Sequence, residues 1–162
     1  MKLIFSALCL ILSALPVFAQ ETAPRGEDLW VCPIAETAMY SPNDIAFGGG
    51  LALGYGNGIA FGVRVLFAFD ADNHGLVESL LFLRLYLTGK SVNFGPFVQF
   101  YGGPVVFTYQ GLETADRGIG TISIGASAGW RFRLGNLWFI EPAVRFGYPH
   151  IAGGGISAGL RR

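Results

Sequence analysis

The chain has 162 residues, of which 52% are hydrophobic, with 24 glycines, 14 phenylalanines and a mean hydropathy of +0.48; the length allows one domain. Eleven basic residues balance eleven acidic ones without a basic patch or stripe, which argues against a nucleic-acid partner. Such hydropathy suggests a membrane, yet no stretch after Ala19 has the roughly 18 uninterrupted apolar residues of a spanning helix; Arg64 breaks Ile59–Phe69 and Arg84 breaks Leu80–Leu87.

Met1–Ala19 carries a basic Lys2, the apolar run Leu3–Leu15, a helix-breaking Pro16 and the small-residue pattern Val17-Phe18-Ala19. This is the pattern of a secretory signal cleaved after Ala19. Its apolar run is short for a retained anchor. Cys9 lies inside that run, so cleavage leaves Cys32 alone and no intramolecular disulfide. Gln20–Asp28, polar and interrupted by Pro24 and Gly26, reads as a flexible leader. The expected organisation is a signal peptide over 1–19, a leader over 20–28 and one all-β domain over 29–162.

Leu29–Tyr40 has a poor pattern, and Pro33 argues against a regular central strand; it is a first strand, a leader or a plug. From Asp44 onward, residues alternate at period 2, as side chains leaving opposite faces of a strand do. Ile45–Tyr55 sets Ile45, Phe47, Leu51, Leu53 and Tyr55 against Ala and Gly. Ile59–Asp70 sets Phe61, Val63, Val65, Phe67 and Phe69 against Gly62, Arg64, Ala68 and Asp70. Leu76–Thr88 sets Val77, Leu81, Leu83, Leu85 and Leu87 against Glu78, Leu80, Phe82, Arg84 and Tyr86; its leucines also fit a helix, but its neighbours favour a strand.

In Val92–Tyr109, Phe94, Pro96, Val98 and Phe100 oppose Gly95, Phe97, Gln99 and Tyr101, and Gly102-Gly103-Pro104 predicts a bend or bulge. Ile119–Leu134 is the clearest segment. Ile122, Ile124, Ala126, Ala128, Trp130, Phe132 and Leu134 oppose Thr121, Ser123, Gly125, Ser127, Gly129, Arg131 and Arg133. Leu137–Tyr148 sets Trp138, Ile140, Val144, Phe146 and Tyr148 against Phe139, Glu141, Ala143 and Arg145, and Gly153–Arg162 sets Ile156, Ala158 and Leu160 against Ser157, Gly159 and Arg161.

Most of these strands are long enough to cross a bilayer, which takes about 9–11 tilted residues. A closed barrel is the alternative to helices there, because every backbone polar group must be paired internally. Apolar faces repeated in strand after strand then point to lipid, and polar faces to an enclosed interior. Tight turns at Gly56-Asn57-Gly58, Gly89-Lys90-Ser91 and Gly135-Asn136 alternate with longer connections at Ala71–Gly75, Gln110–Gly118 and Pro149–Ala152. With the tight turns on the periplasmic side, Leu29–Tyr40 is required as a strand that brings the chain outward. The expected fold is an all-β, antiparallel up-and-down transmembrane β-barrel of eight strands.

In these alternating strands, their Gly-rich faces and motifs such as Ala128-Gly129-Trp130-Arg131-Phe132 and Ser157-Ala158-Gly159-Leu160-Arg161, the chain over Asp44–Arg162 resembles the small eight-stranded outer-membrane β-barrel proteins, such as the membrane domain of outer membrane protein A. The resemblance implies the bacterial outer membrane, reached by a signal peptide, and the outer-membrane assembly machinery and outer-membrane lipid as partners. It is specific for architecture and weak for activity. The chain departs from that family in its last residue. Such barrels finish on an aromatic residue read by the assembly machinery, and this sequence ends on Arg162; either that signal is relaxed here or the sequence stops short of it.

The inward face collects Arg64, Asp70, Glu78, Arg84, Arg131, Arg133, Glu141, Arg145 and Arg161. A buried charge demands a partner, so Arg64, Glu78, Arg84, Arg131, Glu141 and Arg145 are expected to form a lumen ion-pair network, with Glu141 neutralising Arg131 and Arg145. An eight-stranded barrel is just wide enough to be filled by side chains. Trp130, Phe132 and Trp138 near one end, with Phe146 and Tyr148 toward the other, suit the aromatic belts of a membrane barrel.

His74 and His150 fall in the predicted outer loops without convergent ligands for a metal. No Ser/His/acid set presents itself, so neither an enzyme nor a cofactor is expected. The Gly48-Gly49-Gly50 and Gly153-Gly154-Gly155 runs lack the helix and Lys-Ser/Thr of a phosphate loop. The reading is a monomeric, integral outer-membrane barrel with a filled lumen and a structural or surface-exposed role. A porin-like narrow channel or small-solute transporter, a rim enzyme acting on lipid, and a soluble periplasmic lipocalin-like binding barrel are its rivals.

Overall fold

The computed structural model describes residues 29–41, 44–71, 74–88, 94–108 and 119–161. The signal and leader segments, the turn at Gly89-Lys90-Ser91 and the Gln110–Gly118 loop lie outside the described residues. Eight strands make up the fold: β1 (Leu29–Ser41), β2 (Asp44–Tyr55), β3 (Ile59–Phe69), β4 (Gly75–Tyr86), β5 (Gly95–Thr108), β6 (Ile119–Leu134), β7 (Trp138–Tyr148) and β8 (Ala152–Arg161). Each pairs antiparallel with its neighbours in sequence, and β1 closes onto β8. Closure removes both sheet edges.

Leu29–Ser41, for which the sequence left strand, leader or plug open, is a strand paired on both sides. Pro33 is accommodated at a gap. The β1–β8 ladder pairs Val31 with Leu160 and Ile34 with Ser157, and skips Cys32 and Pro33 between them. Proline has no N–H to donate, so it sits where the ladder is interrupted. A second irregularity lies at the β1–β2 connection, between Met39 and Ser41. At Gly102-Gly103-Pro104 the register does not shift, since β5 pairs residue by residue with β6 from Gly95↔Arg131 to Phe107↔Ile119, but the β4–β5 ladder passes from Glu78↔Val105 to Leu81↔Gly102 and skips Gly103 and Pro104. Proline at 104 keeps to the exposed face. Gly103 faces inward, where a Cβ would collide with the Ser79 carbonyl of β4.

Alternation resolves into an outer apolar surface and an inner polar one. Ile122, Ile124, Trp130 and Phe132 of β6 are exposed, while Ser123, Ser127 and Arg131 are buried. In β4, Leu81 and Leu83 point out and Glu78, Leu80, Phe82 and Arg84 point in. A lipocalin-like calyx requires the reverse, an apolar interior and a charged exterior, so this rival is set aside. Large inner side chains face glycines across the lumen wall. A Cβ at Gly54 would strike the Trp30 indole, and one at Gly159 the Phe139 ring. Such small-against-large filling packs the interior of a narrow barrel. Gly56 and Gly58 (φ +121° and +71°) and Gly135 (φ +70°) adopt the left-handed region in the turns after β2 and β6. Those turns share an end of the barrel with the start of β1 and the end of β8, where the Arg161 Nε–H donates to the Asn136 carbonyl at 3.0 Å.

Candidate functional site

The interior is organised as two ion clusters stacked along the barrel. The lower cluster, toward the tight turns, centres on Glu141 of β7. Its carboxylate accepts from Arg84 of β4 at 2.6 Å and from Arg131 of β6. Ser157 of β8 donates to its other oxygen at 3.3 Å. Arg84 makes three further bonds: its Nε and Nη2 donate to the Gln99 side-chain oxygen at 3.0 and 2.8 Å, and its Nη1 to the Tyr86 hydroxyl at 3.1 Å. Aromatic faces enclose both cations. Arg84 lies 4.1 Å from the Phe97 ring centroid and 4.7 Å from that of Trp30. Arg131 lies 3.9 Å from Phe139 and 4.4 Å from Trp30. A guanidinium is weakly hydrated and stacks on aromatic rings, which suits it to this box.

The upper cluster, toward the longer connections, is a chain. Arg64 of β3 pairs with Glu36 of β1, Glu36 with Arg145 of β7, and Arg145 with Glu78 of β4 at 2.6 Å. His150, on the β7–β8 connection, closes its top. It is fully buried; its Nε2 lies 2.7 Å from the Tyr101 hydroxyl, and its ring stacks on Tyr101 and meets Tyr40 edge-on. Its Nδ1 faces Glu78 at 3.8 Å. Burial, then the Arg145 and Arg64 guanidiniums, push the imidazole pKa down to about 3 despite that carboxylate, and hold the ring neutral. A cavity of about 40 Å³ separates the clusters, lined by Glu36, Arg64, Arg84, Gln99, Ser127, Glu141 and Arg145 among others.

Arg64, Glu78, Arg84, Arg131, Glu141 and Arg145 all have buried side chains in this interior. The pairing within it differs from expectation in one respect: Glu141 holds Arg131 and Arg84, while Arg145 goes to Glu36 and Glu78. Three residues expected in the lumen are outside it. Asp70 sits at the rim, where it accepts from the His74 N–H at 2.8 Å and contacts the His74 ring. Arg133 is exposed, 5.2 Å from the Phe94 ring centroid. Arg161 bonds the Asn136 turn. All three are at strand ends, where alternation still gives the side but the closed interior has run out.

His150 is also corrected. The sequence placed it in an outer loop, and the structure folds it into the mouth of the barrel. Glu36 was missed because the pattern of β1 is poor. One signal points to it: the expected ion-pair network holds four arginines and only two glutamates. That imbalance asks for another acid, and Glu36 is the one acid within Leu29–Tyr40.

On the outer face, Trp130, Phe132 and Trp138 are exposed at the tight-turn end, with Trp130 and Phe132 stacked at 5.9 Å. Phe146 and Tyr148 are exposed toward the other end, on the same apolar surface as Phe47 and Phe69.

Neither a protein-family model nor a curated protein matches the sequence. Solved structures do match in fold. The neisserial surface protein A crystal structure superposes with a TM-score of 0.64 at 15% identity, covering 84% of this chain and 96% of that one. The N-terminal β-barrel domain of Pseudomonas aeruginosa OprF superposes with a TM-score of 0.56 at 10% identity, over 83% and 97% of the two chains. A designed protein, TMB2.3, gives 0.50 at 14% identity over 85% and 96%. The chain therefore has the fold of the eight-stranded outer-membrane β-barrels.

Proposed function

We propose that the protein is an integral barrel of the bacterial outer membrane, exported by its signal segment and inserted by the assembly machinery as a monomer, with a structural or surface-display role. The observation that supports this reading is the inversion of its two surfaces. Among the described residues, large aliphatic and aromatic side chains are exposed on the outer face of seven of the eight strands, β2 to β8, while seven charged side chains are buried within. Water would penalise the first arrangement, and lipid rewards it. The exposed tryptophans, phenylalanines and Tyr148 would then lie near the two interfaces. With the tight turns in the periplasm, the longer connections face the exterior.

The lumen is sealed by two ion clusters rather than open, which supports anchoring and display over diffusion of solutes. The refolded protein should show heat-modifiable mobility in mild SDS gels, resist extraction by carbonate or salt, and give no steady conductance in planar bilayers. Release by carbonate with unchanged mobility would refute the membrane reading, and stable conductance would replace the sealed lumen with a channel. Val144→Arg tests the outer face directly: about midway between Trp138 and Tyr148 on β7, and so near the bilayer midplane, it should cost about 2–4 kcal/mol by urea unfolding in lipid vesicles.

A further inference from the structure

Among the described residues, the buried charges of the lumen do not cancel. Arg64, Arg84, Arg131 and Arg145 face Glu36, Glu78 and Glu141, and His150 is neutral, so one positive charge is in surplus. The upper cluster is balanced, with Arg64 and Arg145 against Glu36 and Glu78. The surplus belongs to the lower one, where Arg84 and Arg131 share Glu141. A lone charge in so enclosed a space is costly unless something compensates it. Cation–π contacts to Trp30 and Phe139 offset part of that cost for Arg131 and carry no charge.

Space and donors adjoin the surplus. The cavity between the clusters, of about 40 Å³, is larger than the roughly 10–15 Å³ a single water needs. Arg64 lines it, and its Nε–H has no hydrogen-bond partner although the side chain is buried. The buried Ser127 hydroxyl and Arg84 line it as well. Glu36 and Glu141 also reach the wall, each occupied by two arginines. The site therefore favours an anion small enough to sit on the guanidinium and hydroxyl side, away from those carboxylates.

We propose that this cavity binds one small monovalent inorganic anion of the chloride class, with Arg64 and Ser127 as donors and the surplus charge of Arg84 and Arg131 as the driving force. The bound anion neutralises the lumen and so is part of the folded structure. The proposal depends on the interior alone, so it stands or falls separately from the location of the barrel.

The test uses the full chain refolded in detergent, with chloride replaced stepwise by gluconate at constant ionic strength. Chloride and bromide should each raise the thermal unfolding midpoint in a saturating manner, and gluconate, too large for the cavity, should not. Chloride NMR lines should broaden with folded protein and sharpen on unfolding. Arg131→Gln leaves Glu141 with Arg84 and removes the surplus charge, so the chloride dependence should disappear, and Arg64→Gln should abolish it too; exposed Arg133→Gln should retain it. Gel mobility reports whether each variant folds, and the wild-type titration and line widths decide the matter if one does not. Equal midpoints in chloride and gluconate, or chloride dependence that survives in folded Arg131→Gln, would overturn the proposal.

Discussion

The two ion clusters of the lumen solve the same problem in different ways. The lower one gathers two guanidiniums around a single carboxylate and walls them with aromatic rings. The upper one links two guanidiniums and two carboxylates in a chain, topped by a neutral imidazole. The chain is redundant at its central Arg145, which has two acidic partners, so that loss of either acid strands at most one guanidinium. Among the described residues, the lower cluster has no second acid. A buried ion network is thus most vulnerable where one residue compensates several.

Removing that residue gives the largest expected effect. Glu141→Gln strands Arg84 and Arg131 together and should destabilise by about 3–5 kcal/mol in urea unfolding, as loss of one partner of a buried pair does. Glu36→Gln strands Arg64 alone, since Arg145 keeps Glu78, and should lie at the low end of that range. If Glu36→Gln proves the more damaging, the distinction between the clusters is wrong. A smaller effect is expected from Tyr101→Phe, which removes the partner of His150 Nε2; about 1–2 kcal/mol should be lost, with the lower cluster untouched.

Acidity should distinguish the clusters as well. The pKa of His150 is about 3 in the folded protein, below an unfolded value near 6.5, so the unfolded chain binds the proton more readily. Its contribution is complete above about pH 6.5 and is lost progressively as pH falls toward 3. Replacing His150 by Asn should flatten that part of the stability profile. An unchanged profile would show that His150 does not cap the upper cluster as a neutral ring. The smallest effect is reserved for Arg133→Gln at the exposed end of β6, which should change stability by less than about 1 kcal/mol; a large loss there would extend the lower cluster beyond the closed interior.

The legibility of the chain varied from strand to strand. In β6, the fourteen residues Thr121–Leu134 alternate without a break, and both faces are read directly. The segment that became β1 was obscured by Pro33, and Glu36 was lost with it. In β5, two glycines and a proline suggest a bend or bulge; the ladder to β4 is interrupted there, but continuous pairing with β6 keeps the strand in register. Local composition marks where a strand is able to bend, and its neighbours decide whether it does.

Period-2 alternation with tight and long connections in turn was enough, by sequence alone, to determine seven antiparallel strands, to ask for an eighth before them, and to tell which face of most of them carries the charges, because side-chain direction is a local property of the extended chain. Depth and partnership were decided only by closure of the barrel. Arg84 reaches Glu141 and Arg145 reaches Glu78 between strands β4 and β7, which are not neighbours in the sheet. Arg133 and Arg161 fall outside the packed interior although they share the parity of their buried strand-mates, and His150 enters it from a connection. Parity is set within one strand, whereas height along the lumen and the residue met across it depend on the stagger of all eight.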